Sequence, residues 1–465
     1  MVGVPRSTGC RLCVKRRVRC DEGRPACHNC VRYGAECPGY ARPLKFVAGK
    51  HNVKRDSAGT AAVATTASRP QSASPPAQIL PGSRTAIMPL VEDLISKRNE
   101  VEMSHFLPWF HGLPGRIGAK FTLDSAVFAF AAHLRGKETG DGAVLESARA
   151  SYVKSLSALQ AALNHPVEWK SSETLCSAML LCLYESFAGT TSPDSWMRHA
   201  SGVGKLMQAR GAEAHNNEWD TSMVLAFRGL MIIYAFFSLQ ECFLARSEWR
   251  DVLMRDHDPL SALIEEYWDC LALCPRIVSR AYKLRESAES GDRVDPTGIL
   301  SLVEEAESLR NRLIGWHEIV VKYLPSPEEV PTTDPEALHP TILTYPSVWL
   351  GTLYMGYWAS MLILQSTLAS CHYPDHCAHR SQELLDNILK SVEYTSQGLM
   401  GPYRIGYSLR IAVEFAGPRE RAWIARVLRR TAGSFAATTP TEEPSRLRRL
   451  VVGPGGGGGV SRQRT

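Results

Sequence analysis

Between Cys10 and Cys37 the chain reads CRLCVKRRVRCDEGRPACHNCVRYGAEC, and its six cysteines fall into two equal spacings. Cys10-x2-Cys13-x6-Cys20 is followed, six residues on, by Cys27-x2-Cys30-x6-Cys37. Each half offers three thiols, whereas a tetrahedral zinc site takes four. Two zinc ions need eight ligand bonds, and six thiols supply eight only if two of them bridge both metals. The symmetry of the repeat makes the bridging thiols equivalent, one from each half, and the spacing alone leaves the pair open. Nothing else in the stretch can fold it: Leu12, Val14, Val18, Val31 and Tyr33 fall far short of a self-sufficient core. Structural zinc contributes about 10–16 kcal/mol to peptides of this size, so metal takes the place of a core.

The chain has 13 cysteines, an odd number, and the other seven (Cys176, Cys182, Cys242, Cys270, Cys274, Cys371 and Cys377) are scattered. The opening residues are cationic and cysteine-rich rather than apolar, so no secretory signal is expected there. Both facts point to a reducing compartment, where clustered thiols serve metals. A three-disulfide knot conflicts with that setting, and a single four-cysteine site leaves the repeat unexplained. The net charge of +6 is uneven. Residues 1–55 carry 13 basic against 3 acidic residues, net +10; residues 421–465 carry 9 against 2, net +7; the remainder is net −11. A basic head on an acidic body calls for an anionic partner at the head, and nucleic acid is the obvious one.

Within the stretch the positive charge sits in the front half. VKRRVR lies between Cys13 and Cys20, VRYGAE between Cys30 and Cys37. Both inserts can form only about two helical turns, and Val14 and Val18, four apart, can share one face. A helix of the first kind fits the major groove, where Arg takes guanine O6 and N7 bidentately. The back half then serves as a metal-bound scaffold.

From Gly9 to Cys30 the chain reads GCRLCVKRRVRCDEGRPACHNC. This resembles the fungal zinc binuclear cluster transcription factors, whose pattern runs roughly G-C-x-x-C-R-x-R-K-V-K-C-D-E-x-x-P-x-C-x-x-C. The resemblance implies that Cys10 and Cys27 bridge. One zinc would be held by Cys10, Cys13, Cys20 and Cys27, the other by Cys10, Cys27, Cys30 and Cys37. It further implies that Arg16 and Arg17 read a CGG triplet. Lys15 and Arg19 are then placed for phosphates, with Arg11, Arg24 and Arg32 as weaker candidates. Pro25 matches the family's loop proline, while Val14 departs from the Arg or Lys that many members set against a phosphate. KRRVR also suits a nuclear-import signal. The implied protein is a nuclear regulator of RNA polymerase II transcription.

Residues 41–89 turn to Ala, Ser, Thr, Pro and Gly and read as a disordered linker. No sustained apolar heptad follows the cluster, since Ile87, Val91 and Leu94 meet Arg98 at the next position. Pairing directly after the cluster is unsupported; monomeric binding, or a homodimer through the body, stays open.

Residues 90–430 are helical in pattern, as in SYVKSLSALQAAL and VWLGTLYMGYWASMLILQSTL, and predict an all-α body of about twelve to sixteen helices. MVLAFRGLMIIYAFFSL, from Met223 to Leu239, holds Arg228 and is barely membrane-length, so a buried core helix and no membrane partner are expected. SWMRHASGVGKLMQARG, from Ser195 to Gly211, resembles the W-x-x-H-x-x-G…L-x-x-x-R-G element of fungal transcription-factor regulatory domains. Asp194 or Ser195 suits its start and Gly211 its end.

Catalytic look-alikes fail. SGVGKL has His199 where a phosphate loop needs glycine and Leu206 where it needs a hydroxyl. CHYPDHCAH (Cys371, His372, His376, Cys377, His379) fits no standard metal spacing and reads as a loop. His199 suits packing or capping rather than a base, and no Ser-His-Asp or Cys-His pattern stands out, so no enzyme is expected. Residues 431–465 read as a disordered basic and Gly-rich tail whose Arg446, Arg448 and Arg449 add nonspecific DNA affinity.

The expected organisation is thus a zinc binuclear cluster at 8–40, a linker at 41–89, an all-α regulatory domain at 90–430 and a tail at 431–465. The expected partners are two zinc ions, double-stranded DNA with CGG-type sites, and transcription machinery or coregulators. The rival organisation makes the body a small-molecule sensor or enzyme-like domain, with the cluster as its DNA address.

Overall fold

The computed structural model describes residues 10–21, 23, 26–37, 83–96, 107–188, 195–253, 259–291, 295–371, 381–398 and 400–432. The chain divides into two compact units, Met1–Gly49 and Lys50–Thr465.

In the first unit the buried centre is sulfur. Cys10, Cys13, Cys27 and Cys30 are each 0% exposed, with Leu12, Cys20 and Cys37 packed around them. Two short helices flank that centre, α1 (Arg11–Lys15) and α2 (His28–Arg32). The inserts do not form two-turn helices. A helix continued from Cys13 to Cys20 would part the two residues by about 10 Å at 1.5 Å per residue. Their thiols instead lie within 4.8 Å of each other. The chain therefore breaks the helix at once. Arg17 takes a left-handed φ of 56°, and the Val18 amide donates back to the Cys13 carbonyl at 3.0 Å. That is the six-to-one bond which closes a helix at a left-handed residue. Val18, beyond the helix, is 41% exposed. Gly34, at φ 71°, turns the chain after α2 toward Cys37.

The second unit holds fourteen α-helices among the described residues. In chain order they are α3 (Arg84–Ser96), α4 (Leu107–His111), α5 (Phe121–Thr139), α6 (Gly142–Asn164), α7 (Ser172–Ala188), α8 (Ser195–Arg210) and α9 (Glu218–Phe237). There follow α10 (Ser247–Leu253), α11 (Pro259–Glu289), α12 (Pro296–Tyr323), α13 (Val348–Ser370), α14 (Ser381–Thr395), α15 (Gly401–Phe415) and α16 (Pro418–Ala432). Side chains at their starts accept the free amides of the first turn. Asp141 accepts from Ala143 and Val144 at 2.9 and 3.2 Å, Asn217 from Asp220 at 3.0 Å, and Ser347 from Leu350 at 3.2 Å. The nearly all-apolar α13 lies at the centre, packed by α11, α12, α14 and α15.

The far bound of the linker needs correction. The first body helix starts at Arg84, inside the stretch assigned to a linker at 41–89. Ile87, Val91 and Leu94 are 0, 0 and 4% exposed and face the body core, where α3 packs on α5. Three apolar positions too few for a coiled coil suffice for one side of a core helix. The body also contains strands. β1 (Glu328–Pro331) pairs antiparallel with β2 (Thr341–Thr344), Glu328 opposite Thr344 and Pro331 opposite Thr341. These strands are four residues long and set among Pro325, Pro327, Pro331 and Pro340, which masks their period-two pattern. Residues 38–82, which include the rest of the linker from 41, and the tail after Ala432 lie outside the described residues.

α9 is long and apolar enough to cross a membrane, yet 78% of its apolar window is buried inside the fold. Arg228 on it is paired with Glu265 of α11, its guanidinium 4.5 Å from the Trp268 ring. SGVGKL lies in mid-helix within α8, which rules out a phosphate loop. Gly211 ends α8 at φ 83°, its amide donating to Met207 O at 3.1 Å. Arg210 beside it forms a buried 2.8 Å pair with Asp220 of α9. Trp196 is 1% exposed, and His199 lies 3.8 Å from Glu185, a packing role. Asp194, His372, His376, Cys377 and His379 lie outside the described residues.

Candidate metal centre and nucleic-acid interface

The six thiols converge. Cys10 Sγ stands 3.7 Å from Cys27 Sγ and 3.5 Å from Cys30 Sγ; Cys27 Sγ stands 3.6 Å from Cys13 Sγ and 3.9 Å from Cys37 Sγ. They form two groups of four with every ligand atom within 4.8 Å of the rest: Cys10, Cys13, Cys20, Cys27 and Cys10, Cys27, Cys30, Cys37. Cys10 and Cys27 belong to both.

The two halves build their loops alike. The Cys13 amide points at Cys10 Sγ (3.5 Å) as the Cys30 amide points at Cys27 Sγ (3.4 Å), so each shared sulfur caps the turn that carries its neighbour. The donor set fits zinc in type and number. Burial, then the bonds from neighbouring thiols, pushes the Cys13 thiol up to about 12, and burial also raises Cys27 and Cys30. Thiols held this close and dry become thiolates only opposite a cation, which two zinc ions supply.

Around this centre the basic side chains point away from the sulfur. Lys15, Arg17 and Arg19 are exposed, and so is Arg32. Arg16 is half-buried, its guanidinium carbon 3.4 Å from the centroid of the Tyr33 ring. The side chain of Arg11, and all of Arg24 and Pro25, lie outside the described residues.

The second half does more than supply ligands. Asn29 Nδ2 donates to the Arg19 carbonyl at 2.6 Å, and Asp21 Oδ2 accepts the His28 amide at 3.0 Å. That amide bond holds the Asp21 carboxyl below its ordinary range. Asn29, Asp21 and Tyr33 escape a reading by spacing, because their partners are chosen by the turn at Arg17. Tyr33, the lone aromatic of the second insert, was the available signal.

Among the described residues of the body, a cavity of about 230 Å³ lies between the β1–β2 connection, α14 and α16. Lys390 on its wall pairs with Glu329 at 2.8 Å, and Glu393 accepts from the Thr333 hydroxyl at 3.0 Å.

Comparison with known families agrees with this geometry. Residues 8–45 match the fungal Zn(2)-Cys(6) binuclear cluster domain, and residues 104–440, most of the chain, match the fungal specific transcription factor domain. The chain belongs to the fungal Zn(2)-Cys(6) transcription factors. As in that cluster domain, its cofactor is two zinc ions shared by six cysteines. An uncharacterized protein of Emericella nidulans is 34% identical over 127 residues, 27% of each chain. The Zn(2)-C6 fungal-type transcription factor afumD of Aspergillus fumigatus is 56% identical over 38 residues, 8% of this chain and 10% of that protein. White-opaque regulator 2 of Candida albicans is 47% identical over 45 residues, 10% of each. The chain thus matches about a quarter of the first of these relatives and a tenth of the others. No solved structure matches it.

Proposed function

We propose that this chain is a nuclear, sequence-specific regulator of RNA polymerase II transcription, with its zinc cluster docked on CGG-type sites. Cys10 and Cys27 bridge two zinc ions, Cys13 and Cys20 complete one site, and Cys30 and Cys37 complete the other. Arg16 and Arg17 read guanines, while Lys15 and Arg19 grip phosphates. The observation that carries this is the pair of four-thiol groups sharing Cys10 and Cys27, with the exposed cationic turn Lys15–Arg19 built on it. A base reader must stand clear of the surface, and a turn clamped at both ends by metal ligands does so with little freedom left to lose.

In this reading the linker lets the cluster search DNA while the helical body recruits coregulators or pairs with a second copy. The test is titration of the full chain onto duplexes with CGG, scrambled CGG or random sequence, with and without a zinc chelator. Binding should prefer CGG by at least tenfold and vanish with chelator. Equal affinity for all three duplexes, or binding that survives zinc removal, overturns the proposal.

A further inference from the structure

The contact between Arg16 and Tyr33 joins the two halves of the cluster across its surface. Tyr33 is 59% exposed, so it is no core residue, and its ring still covers the face of Arg16 at 3.4 Å. Its place is set by backbone. The Tyr33 amide donates to the Asn29 and Cys30 carbonyls at 3.2 Å as the cap of α2, and Cys30 is held in the sulfur centre. The Asn29 bond to the Arg19 carbonyl and the Asp21 bond to the His28 amide fix the first half's loop against the same helix.

A guanidinium is planar, with five N–H donors in its plane, and a ring on its face consumes none of them. Stacking on Tyr33 therefore leaves the donor edge of Arg16 free while removing most of its side-chain motion. Bidentate recognition of guanine O6 and N7 needs that edge in one orientation. We infer that Tyr33 is a positioning residue for base recognition: the second half of the cluster, through this ring, pre-orders Arg16 for guanine. The inference rests on the reading of Arg16 as a base contact.

Four variants of the full chain test it: Tyr33→Leu, Tyr33→Phe, Arg16→Ala and the double Arg16→Ala/Tyr33→Leu, each with zinc content measured and with affinity measured on CGG and random duplexes. Tyr33→Leu keeps two zinc ions, loses roughly three- to tenfold on CGG and changes little on random DNA. Tyr33→Phe keeps the ring and the parent affinity. In the Arg16→Ala background Tyr33→Leu has no further effect. An unchanged or tighter CGG affinity for Tyr33→Leu, an equal loss on both duplexes, or a loss that Tyr33→Phe does not restore overturns the inference. If Arg16→Ala itself keeps full CGG preference, the base-contact reading of Arg16 fails first, whatever Tyr33 does. If Arg16→Ala loses that preference and Tyr33→Leu keeps it, only the positioning role fails.

Discussion

Cys10 and Cys27 hold their sulfurs 3.7 Å apart, and each belongs to both groups of four thiols. The remaining four cysteines belong to one group each, so the six positions are unequal in what their loss removes. Cys10→Ser or Cys27→Ser in the full chain should reduce zinc from two equivalents to below one, because both sites lose a ligand. Cys20→Ser or Cys37→Ser should leave close to one equivalent. Elemental analysis of the purified variants checks this, and equal losses at all six positions would contradict the shared-sulfur arrangement.

Arg17 is the left-handed residue that ends α1, and it is also a proposed base contact. Those roles separate in Arg17→Gly. Glycine relieves roughly 1–2 kcal/mol of left-handed strain and loses roughly 0.5–1 kcal/mol to the freer unfolded chain. The cluster should therefore fold and hold two zinc ions as before. Affinity for CGG duplexes should fall by about 1–3 kcal/mol, the worth of a bidentate Arg–guanine pair. Retained CGG affinity would remove Arg17 from the reading surface.

Lys15 differs from the two arginines after it, since it closes α1 as an exposed point charge. A phosphate contact releases counterions and carries no base preference. Lys15→Ala should weaken binding to CGG and random duplexes alike and lower the salt slope by about 0.9. Titrations between low and moderate salt measure both quantities. A loss confined to CGG would make Lys15 a base contact instead.

How much of this was legible in the sequence follows from what each feature depends on. The ligand residues depend on spacing alone, so Cys10 to Cys37 could be read directly, and ligand arithmetic required two bridging thiols. Singling out Cys10 and Cys27 as the proposed bridging pair needed either a family likeness or the sulfur distances that put both in each group of four. The helix over VKRRVR was misjudged because the metal, not helix propensity, decides where that backbone turns. Ile87, Val91 and Leu94 looked like a failed coiled coil because their partner α5 lies some thirty residues on. The contact of Tyr33 with Arg16 was invisible for the same reason: it exists only once both halves close on shared sulfur.

In the body, α11 and α13 cross where α13 has a glycine. A Cβ at Gly356 would stand 1.9 Å from the Tyr267 hydroxyl, and Tyr267 is 2% exposed with no room to withdraw. Gly356→Ala should lower the body's stability by about 1–3 kcal/mol, the usual cost of overpacking. Removing the hydroxyl in Gly356→Ala/Tyr267→Phe should restore part of it. Chemical unfolding of both variants checks the pair, with zinc content as a control that should not move. Stability unchanged by Gly356→Ala would mean the helices part without cost.

Two buried histidines make the body sensitive to mild acid. Burial, then nearby Arg210, pulls the His215 ring down to about 4, and burial pulls His133 down to about 4 against its bond to the Phe187 carbonyl. His215 faces Asp220 at 4.0 Å and the Trp249 ring at 5.2 Å; Lys137 shares the Phe187 carbonyl with His133. Both rings are neutral in the fold, whereas an unfolded chain protonates them near pH 6.5. The unfolded state then binds more protons between about pH 6.5 and 4, so stability falls as pH drops through that window. Each pKa unit is worth about 1.4 kcal/mol, which makes the two rings together worth several kcal/mol by the lower end. Asp220 contributes little there: burial raises its carboxyl, but bonds from Ser172, Asn217 and Arg210 outweigh it and hold the group below the ordinary range, so most of its stabilisation is lost below about pH 4. Thermal melts from pH 7 to 4.5 should show the decline, and His133→Gln with His215→Gln should flatten it. A double variant that keeps the parent's slope would assign the acid sensitivity to other groups.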